Sequence, residues 1–394
     1  MKKHIYPATV IACLAFTTCS RAPRNLGSAV MFHGEISRSG NLATKGLPEL
    51  KGVKWKFKAG GEIWSSPIIA DGTLYFGSND RNFYAVDIES GREKWRFETG
   101  GNVRSSAAVA YGMVFFDSYD GYLYALDVKN GKQLWRFDLL KDAGQENREI
   151  PFFQWDDYTS SPLIENGVVY IGARNPIHSL FALDAFSGNQ KWSFEPEDIN
   201  SVRSSPAIYK DTIYFGSESN MFYALNKNDG SVKWVLQTGK LVNYGPAVDD
   251  AGNIYFACKD RYCYAVNGES GNILWKSLLA PENATWVTGF PALGNNGLVY
   301  IGSSDYHKLI AMKTDNGKVI WEFDTGGWVW SSPLYVQGIV YVGSGQQKIV
   351  FAVDGQSGKE VWRFETGGAV YASPLVANGV LYIGSADGYL YSLH

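Results

Sequence analysis

The sequence predicts an all-β protein: an eight-bladed β-propeller of four-stranded antiparallel blades, with an N-terminal strand closing the last blade. Three observations lead there. Tryptophan recurs at positions 55, 95, 135, 192, 234, 275, 321 and 362, at spacings of 40, 40, 57, 42, 41, 46 and 41 residues. Apolar residues alternate at period two in short runs bounded by Gly, Asn and Asp, and no comparable stretch outside the N-terminal segment follows a helical period. Glycine is in excess, 43 of 394 residues or about 11% against a usual share of about 7%. A unit of about 42 residues with four strands and tight turns is one blade of a propeller.

Each unit has the same layout, which residues 63–99 illustrate. Strand A surrounds Ser65-Ser66-Pro67, strand B is Leu74 to Ser78, strand C is Phe83 to Asp87 and strand D is Lys94 to Phe97. The C to D turn joins Asp87 to Gly91: the carboxylate accepts bonds from turn N–H groups, and glycine supplies the positive φ of the reversal. That glycine recurs at 91, 131, 188, 230, 271, 317 and 358. The tryptophan on strand D is expected to pack between neighbouring blades, its N–H bonded to a backbone carbonyl. Trp55 precedes the first strand A, whereas the last unit stops at His394 after strands A, B and C. Val53 to Phe57 is therefore expected to supply the missing strand.

The remaining segments carry other signals. Lys2 and Lys3 precede a mostly apolar stretch, Ile5 to Phe16, that is too short to span a bilayer. Residues 1–19 read as a secretory or lipoprotein signal, with Cys19 at the lipidation position, residues 20–52 as a linker and 53–394 as the propeller. The protein is expected to be exported, to the periplasm or the outer membrane. Cys258 and Cys263 flank a hairpin loop and form either a disulfide or two buried thiols. With 36 Lys+Arg against 39 Asp+Glu and 45% hydrophobic residues, the chain has no electrostatic footprint for nucleic acid and is too apolar to be disordered. The five histidines are too scattered for a zinc site.

Strand A should line the central channel. The residue before each Ser-Ser-Pro or its equivalent then gives one position per blade around the channel mouth: Trp64, Arg104, Thr159, Arg203, Asn243, Thr288, Trp330 and Tyr371. Aromatic faces with two guanidinium groups suit a planar anionic ligand, a sugar or a peptide segment; equally, such side chains fill a channel. The one long insertion, Leu139 to Tyr158, falls on the same face and carries Phe153, Trp155, Asp156, Asp157 and Tyr158. Its paired carboxylates are candidate cation ligands with Glu149, or simply solvated. No metal site is expected.

The block Ala85-Val86-Asp87 through Ser90-Gly91 to Trp95 resembles the tryptophan-docking motif of pyrroloquinoline-quinone-type propellers, and the resemblance covers about residues 53–394. His33-Gly34 to Gly40 is similar to the lead-in of such proteins. Two groups share the motif: quinoprotein alcohol dehydrogenases and the non-enzymatic BamB lipoprotein of outer-membrane assembly. The dehydrogenase resemblance implies a quinone (PQQ), a calcium ion, a catalytic Asp and an adjacent Cys-Cys pair. The sequence has no adjacent cysteines, no Cys-x-x-Cys-His and none of the common hydrolase or nucleotide-binding motifs. The expectation is therefore a monomeric, lipid-anchored, non-catalytic scaffold without cofactor, binding an envelope protein such as an outer-membrane barrel. The alternatives are a PQQ-dependent dehydrogenase, or a carbohydrate or small-ligand binder at the aromatic mouth.

Overall fold

Successive repeats fold as eight antiparallel sheets in the computed structural model, which describes residues 29–141, 159–174, 179–196, 202–284, 287 and 289–394. Blade one consists of strands Ile68–Ala70, Thr73–Gly77, Asn82–Asp87 and Glu93–Glu98. Its strand B is buried throughout, whereas strand D alternates between exposed and covered residues. The difference follows from position. Inner strands are sandwiched between neighbouring blades on both faces and read as continuous apolar runs, while the rim strand meets water.

Closure of the ring occurs as the sequence predicts. Val53–Lys58 pairs antiparallel with Tyr389–Leu393, placing Val53 opposite Leu393 and Phe57 opposite Leu390. The eighth blade thus joins the two ends of the propeller sequence.

The repeated indoles hold adjacent blades together. Their Nε1–H groups donate to the carbonyls of Ile88, Val128, Ala185, Lys227, Gly268, Thr314 and Gly355, at 2.8–3.1 Å. Trp362 donates instead to Leu47 at 2.7 Å, because no C to D turn follows the eighth blade and the lead-in segment takes its place. In every C–D pair the register slips just before the tryptophan, a bulge that bends strand D and aims the indole at the next blade. The turn glycines have φ between +67° and +75°. They also lie flat against the indoles, since an added Cβ would come within 2.5–2.8 Å of the ring. Trp275 is 9% exposed, so Trp275→Ala is expected to destabilise by about 3–4 kcal/mol. Denaturant melts check this, and an unchanged midpoint would remove the docking role.

The Ser-Ser-Pro triplets have a structural role of their own. The second serine hydroxyl accepts the N–H of its counterpart in the preceding blade, in the links Ser66 to Ser106, Ser106 to Ser161, Ser161 to Ser205, Ser332 to Ser373 and Ser373 to Ser66. This belt around the channel breaks where Gly245 and Phe290 replace serine. The Phe290 ring lies so close to Gly245 that a side chain there would collide with it.

Residues 29–52 are not a linker. They enter the channel from the end opposite the mouth: Val30–Met31 pairs with Ala108 and Val109, and the following backbone bonds Ile208, Val248, Leu293, Tyr335 and Gly379 in blades four to eight. Alternation of apolar residues could not reveal this, because apart from the two-residue strand Val30–Met31 the segment is held by one or two backbone bonds from each blade it passes. At its centre Arg38 is fully buried and donates to the carbonyls of Phe32, Ser161, Pro162 and Pro206 at 2.6–3.2 Å. Burial lowers its guanidinium to about 9, so it stays charged at neutral pH, whereas burial and then Arg38 hold His33 down at about 3, neutral.

The cysteine alternative resolves to free thiols, correcting the possible disulfide. Cys258 lies opposite Tyr262 and Cys263 opposite Ala257, so the two side chains point to opposite faces of the blade. They join different apolar clusters. Burial pushes both thiols up, Cys258 to about 12, which leaves them inert.

Candidate functional site

The channel mouth is built where each strand A begins. The repeat register brings Trp64, Arg104, Thr159, Arg203, Asn243, Trp330 and Tyr371 around one cavity of about 30 Å³, with Phe32, Tyr244 and Phe290 also in its wall. Thr288, the eighth expected position, lies outside the described residues, as do Phe153, Trp155, Asp156, Asp157 and Tyr158 of the insertion, Trp286, and Cys19. Such a volume holds about one water molecule. The lead-in segment plugs the channel from below with Phe32, so the mouth is a shallow cup with an aromatic floor.

The rim is ordered by a chain of polar contacts. Trp64 Nε1 donates to Glu62 Oε2 at 2.7 Å, Asn79 Nδ2 donates to the same oxygen at 3.2 Å, and Arg104 Nε donates to Asn79 Oδ1 at 2.9 Å. The chain holds the Arg104 guanidinium over the Trp64 ring, 3.9 Å from its centroid. Beyond it Trp64 meets Tyr371 at 4.6 Å and Trp330 at 6.1 Å, and Trp328 stacks on Trp330 at 6.0 Å. Trp330 Nε1 donates to Ser304 Oγ, and Arg203 pairs with Glu218 at 2.9 Å. Burial, with Glu62 nearby, raises the Tyr371 phenol, which remains a neutral hydrogen-bonding group. The result is an aromatic cluster at the rim, in which the Trp64 ring is inclined by 53° to Tyr371 and by 67° to Trp330, with cationic groups beside it.

Three residues beside the mouth were not singled out from the sequence: Asp117, Tyr119 and Arg174. Asp117 ends strand B of blade two, where most blades have glycine; Tyr-Phe-Gly-Ser in blade one becomes Phe-Phe-Asp117-Ser118, a departure that could have identified it. It is 6% exposed and accepts from Thr159 Oγ1 at 3.1 Å. Burial raises its carboxyl to about 7, against hydrogen bonds from Ser105 and Thr159 and the charge of Arg174, which pull the other way. A carboxyl raised on folding favours the folded state below its unfolded value near 4, and that advantage is lost as pH rises through about 7. Asp117→Asn is therefore expected to gain stability relative to the parent between pH 4 and pH 8. Paired thermal melts across this range check it; a pH-independent difference would contradict it.

The family model described as outer membrane protein assembly factor BamB matches residues 48–236 and 259–393. A quinoprotein ethanol dehydrogenase of Pseudomonas aeruginosa is 38% identical over 82 residues, 19% of this chain; the chain covers only 13% of that enzyme's length. Among solved structures, quinohemoprotein alcohol dehydrogenase from Comamonas testosteroni superposes with a TM-score of 0.77 at 15% identity, covering 92% of this chain and 80% of that one. BamB from Moraxella catarrhalis gives 0.67 at 19% identity, covering 88% and 98%. At those identities the structures speak for the fold. Both groups accord with the extracytoplasmic location expected from the N-terminal segment.

The curated relatives correct three expectations. Their kinship with quinoprotein dehydrogenases overturns the non-catalytic scaffold, the non-enzyme assignment and the absence of a cofactor. Missing adjacent cysteines weighed too heavily in the sequence, because a planar ligand can be held by aromatic faces and guanidinium groups without them.

Proposed function

The chain belongs to the propeller family that this model describes, and on that premise we propose that it is a quinone-dependent oxidoreductase whose channel mouth takes pyrroloquinoline quinone. One observation carries the proposal: Arg104 stacked on Trp64, with Tyr371 and Trp330 packed beside that ring at an incline. The donor set suits a flat polycarboxylate, with the inclined rings of Trp64, Tyr371 and Trp330 bordering its ring by face or edge and Arg104 and Arg203 meeting its carboxylates. A bound quinone would supply two-electron oxidation of a small hydroxyl-bearing substrate. A cavity of about 30 Å³ leaves no room for a ring system below the rim, so the cofactor rests on the rim side chains. The described residues contain no group of three or more metal-ligating side chains, and none of them is assigned to a calcium ion. Lipidation at Cys19 would tether this propeller to a membrane.

Titration with pyrroloquinoline quinone, with and without calcium, tests the proposal through tryptophan fluorescence. Saturable quenching is expected, weakened about tenfold or more by Arg104→Ala or Trp64→Ala as a desolvated cation–π contact and its charge are lost. Alcohol-dependent dye reduction by the loaded protein should follow. No saturable quenching at any concentration would overturn the assignment.

A further inference from the structure

Beside the mouth, between blades two and three, the repeat is broken at one position. In blades one, four, seven and eight the position equivalent to Asp117 is Gly77, Gly216, Gly343 and Gly384, and a Cβ there would collide with Val103, Val242, Val370 or Ile63 of the next blade. Blade two instead carries a carboxylate, and a cavity of about 20 Å³ opens beside it. Thr159 lines both this cavity and the mouth. Its hydroxyl is therefore the connection between a buried acid and the proposed ligand surface.

We propose that Asp117 and Thr159 form a proton-coupled switch that admits anionic ligands to the mouth, an inference that rests on the quinone assignment above. A hydroxyl has one proton to donate and rotates to suit its partners. With Asp117 ionised, the Thr159 O–H must donate inward to Oδ1, leaving only lone pairs toward the mouth. With Asp117 protonated, the carboxyl O–H donates to Thr159 Oγ1 and the threonine O–H turns outward to a ligand carboxylate. One proton is taken from solution for each anion bound, and no other bond changes. Asp117 acts through Thr159 and is a positioning residue.

The surrounding charges pull Asp117 both ways. Arg174, from blade three, lies 4.7 Å from the centroid of the Tyr119 ring and donates to its hydroxyl at 3.2 Å, while Arg104 lies 5.2 Å from the same ring. Asp120 on the adjoining turn raises the Asp117 carboxyl, and Ser105 and Arg174 lower it. A ligand carboxylate near Arg104 and Arg174 competes with ionised Asp117 for their field, which favours the protonated acid in the complex. The charge state of Asp117 and the charge of the ligand are thereby linked.

The test measures affinity for pyrroloquinoline quinone, and for the uncharged quinone menadione, from pH 5.5 to 8.5. The tricarboxylate stays ionised across this range. Its Kd is expected to rise by up to about tenfold per pH unit above neutrality in the parent protein. Asp117→Asn, Asp117→Gly and Thr159→Val should flatten that dependence, and menadione should show none. Asp117→Gly installs the residue other blades carry there, so folding is retained. An unchanged slope in natively melting Asp117→Asn would overturn the switch while leaving the quinone assignment standing. Failure of the tricarboxylate to bind at any pH would sink the assignment instead. In that case infrared titration of the ligand-free protein decides the switch: a carboxyl band that titrates near neutral pH and is lost in Asp117→Asn supports it, and no such band overturns it.

Discussion

Arg38→Ala is expected to destabilise the propeller by about 4–6 kcal/mol, a large part of the roughly 5–15 kcal/mol by which domains are stable. The guanidinium is wholly buried and donates to four carbonyls: Phe32 on the lead-in itself, Ser161 and Pro162 in blade three, and Pro206 in blade four. Each carbonyl stripped of its donor in the interior costs about 1–1.5 kcal/mol, and the vacated volume adds to this. Arg38→Lys keeps the charge but has neither the planar fork nor the reach to serve several carbonyls, so it should fall between the parent and alanine. Urea unfolding of the three proteins checks the order. A midpoint for alanine equal to the parent would show that the plug is a passive filler.

Deleting residues 1–58 is expected to do more. It removes strand Val53–Lys58 from the eighth blade, the docking of Trp55 on blade one and the Leu47 carbonyl that accepts from Trp362. The first blade would lose its seam with the eighth, and Tyr389–Leu393 would become an unpaired edge beside a vacant channel. Such edges recruit other chains, so light scattering should report aggregation where the parent is monodisperse. A truncated protein that is monomeric and equally heat-stable would refute closure by this strand.

Much of this architecture was legible because the repeat writes it eight times. The indole at each strand D and the Ser-Ser-Pro or its equivalent each predict one position per blade, the turn glycine recurs in seven of the eight, and the register then places Trp64, Arg104, Arg203, Trp330 and Tyr371 at one mouth. What the repeat does not contain could not be read from it. Residues 29–52 bond to six blades through scattered backbone groups and have no period, so they passed for a linker although Arg38 is among the most buried residues. Asp117 appeared only as one departure from glycine, and its significance depends on Thr159 across a blade boundary. The spacing of the two cysteines left a disulfide and two buried thiols open, and only the ladder register shows them on opposite faces. Function was misjudged for a related reason: motifs absent from the chain say little about a ligand held by aromatic and cationic side chains.

A crystal structure of the full chain grown with pyrroloquinoline quinone addresses the quinone assignment most directly. The account predicts one quinone per chain at the mouth, in contact with Trp64 and Tyr371 and with a carboxylate on Arg104. A saturated crystal with the mouth bare, or with the quinone bound anywhere else on the propeller, would contradict it.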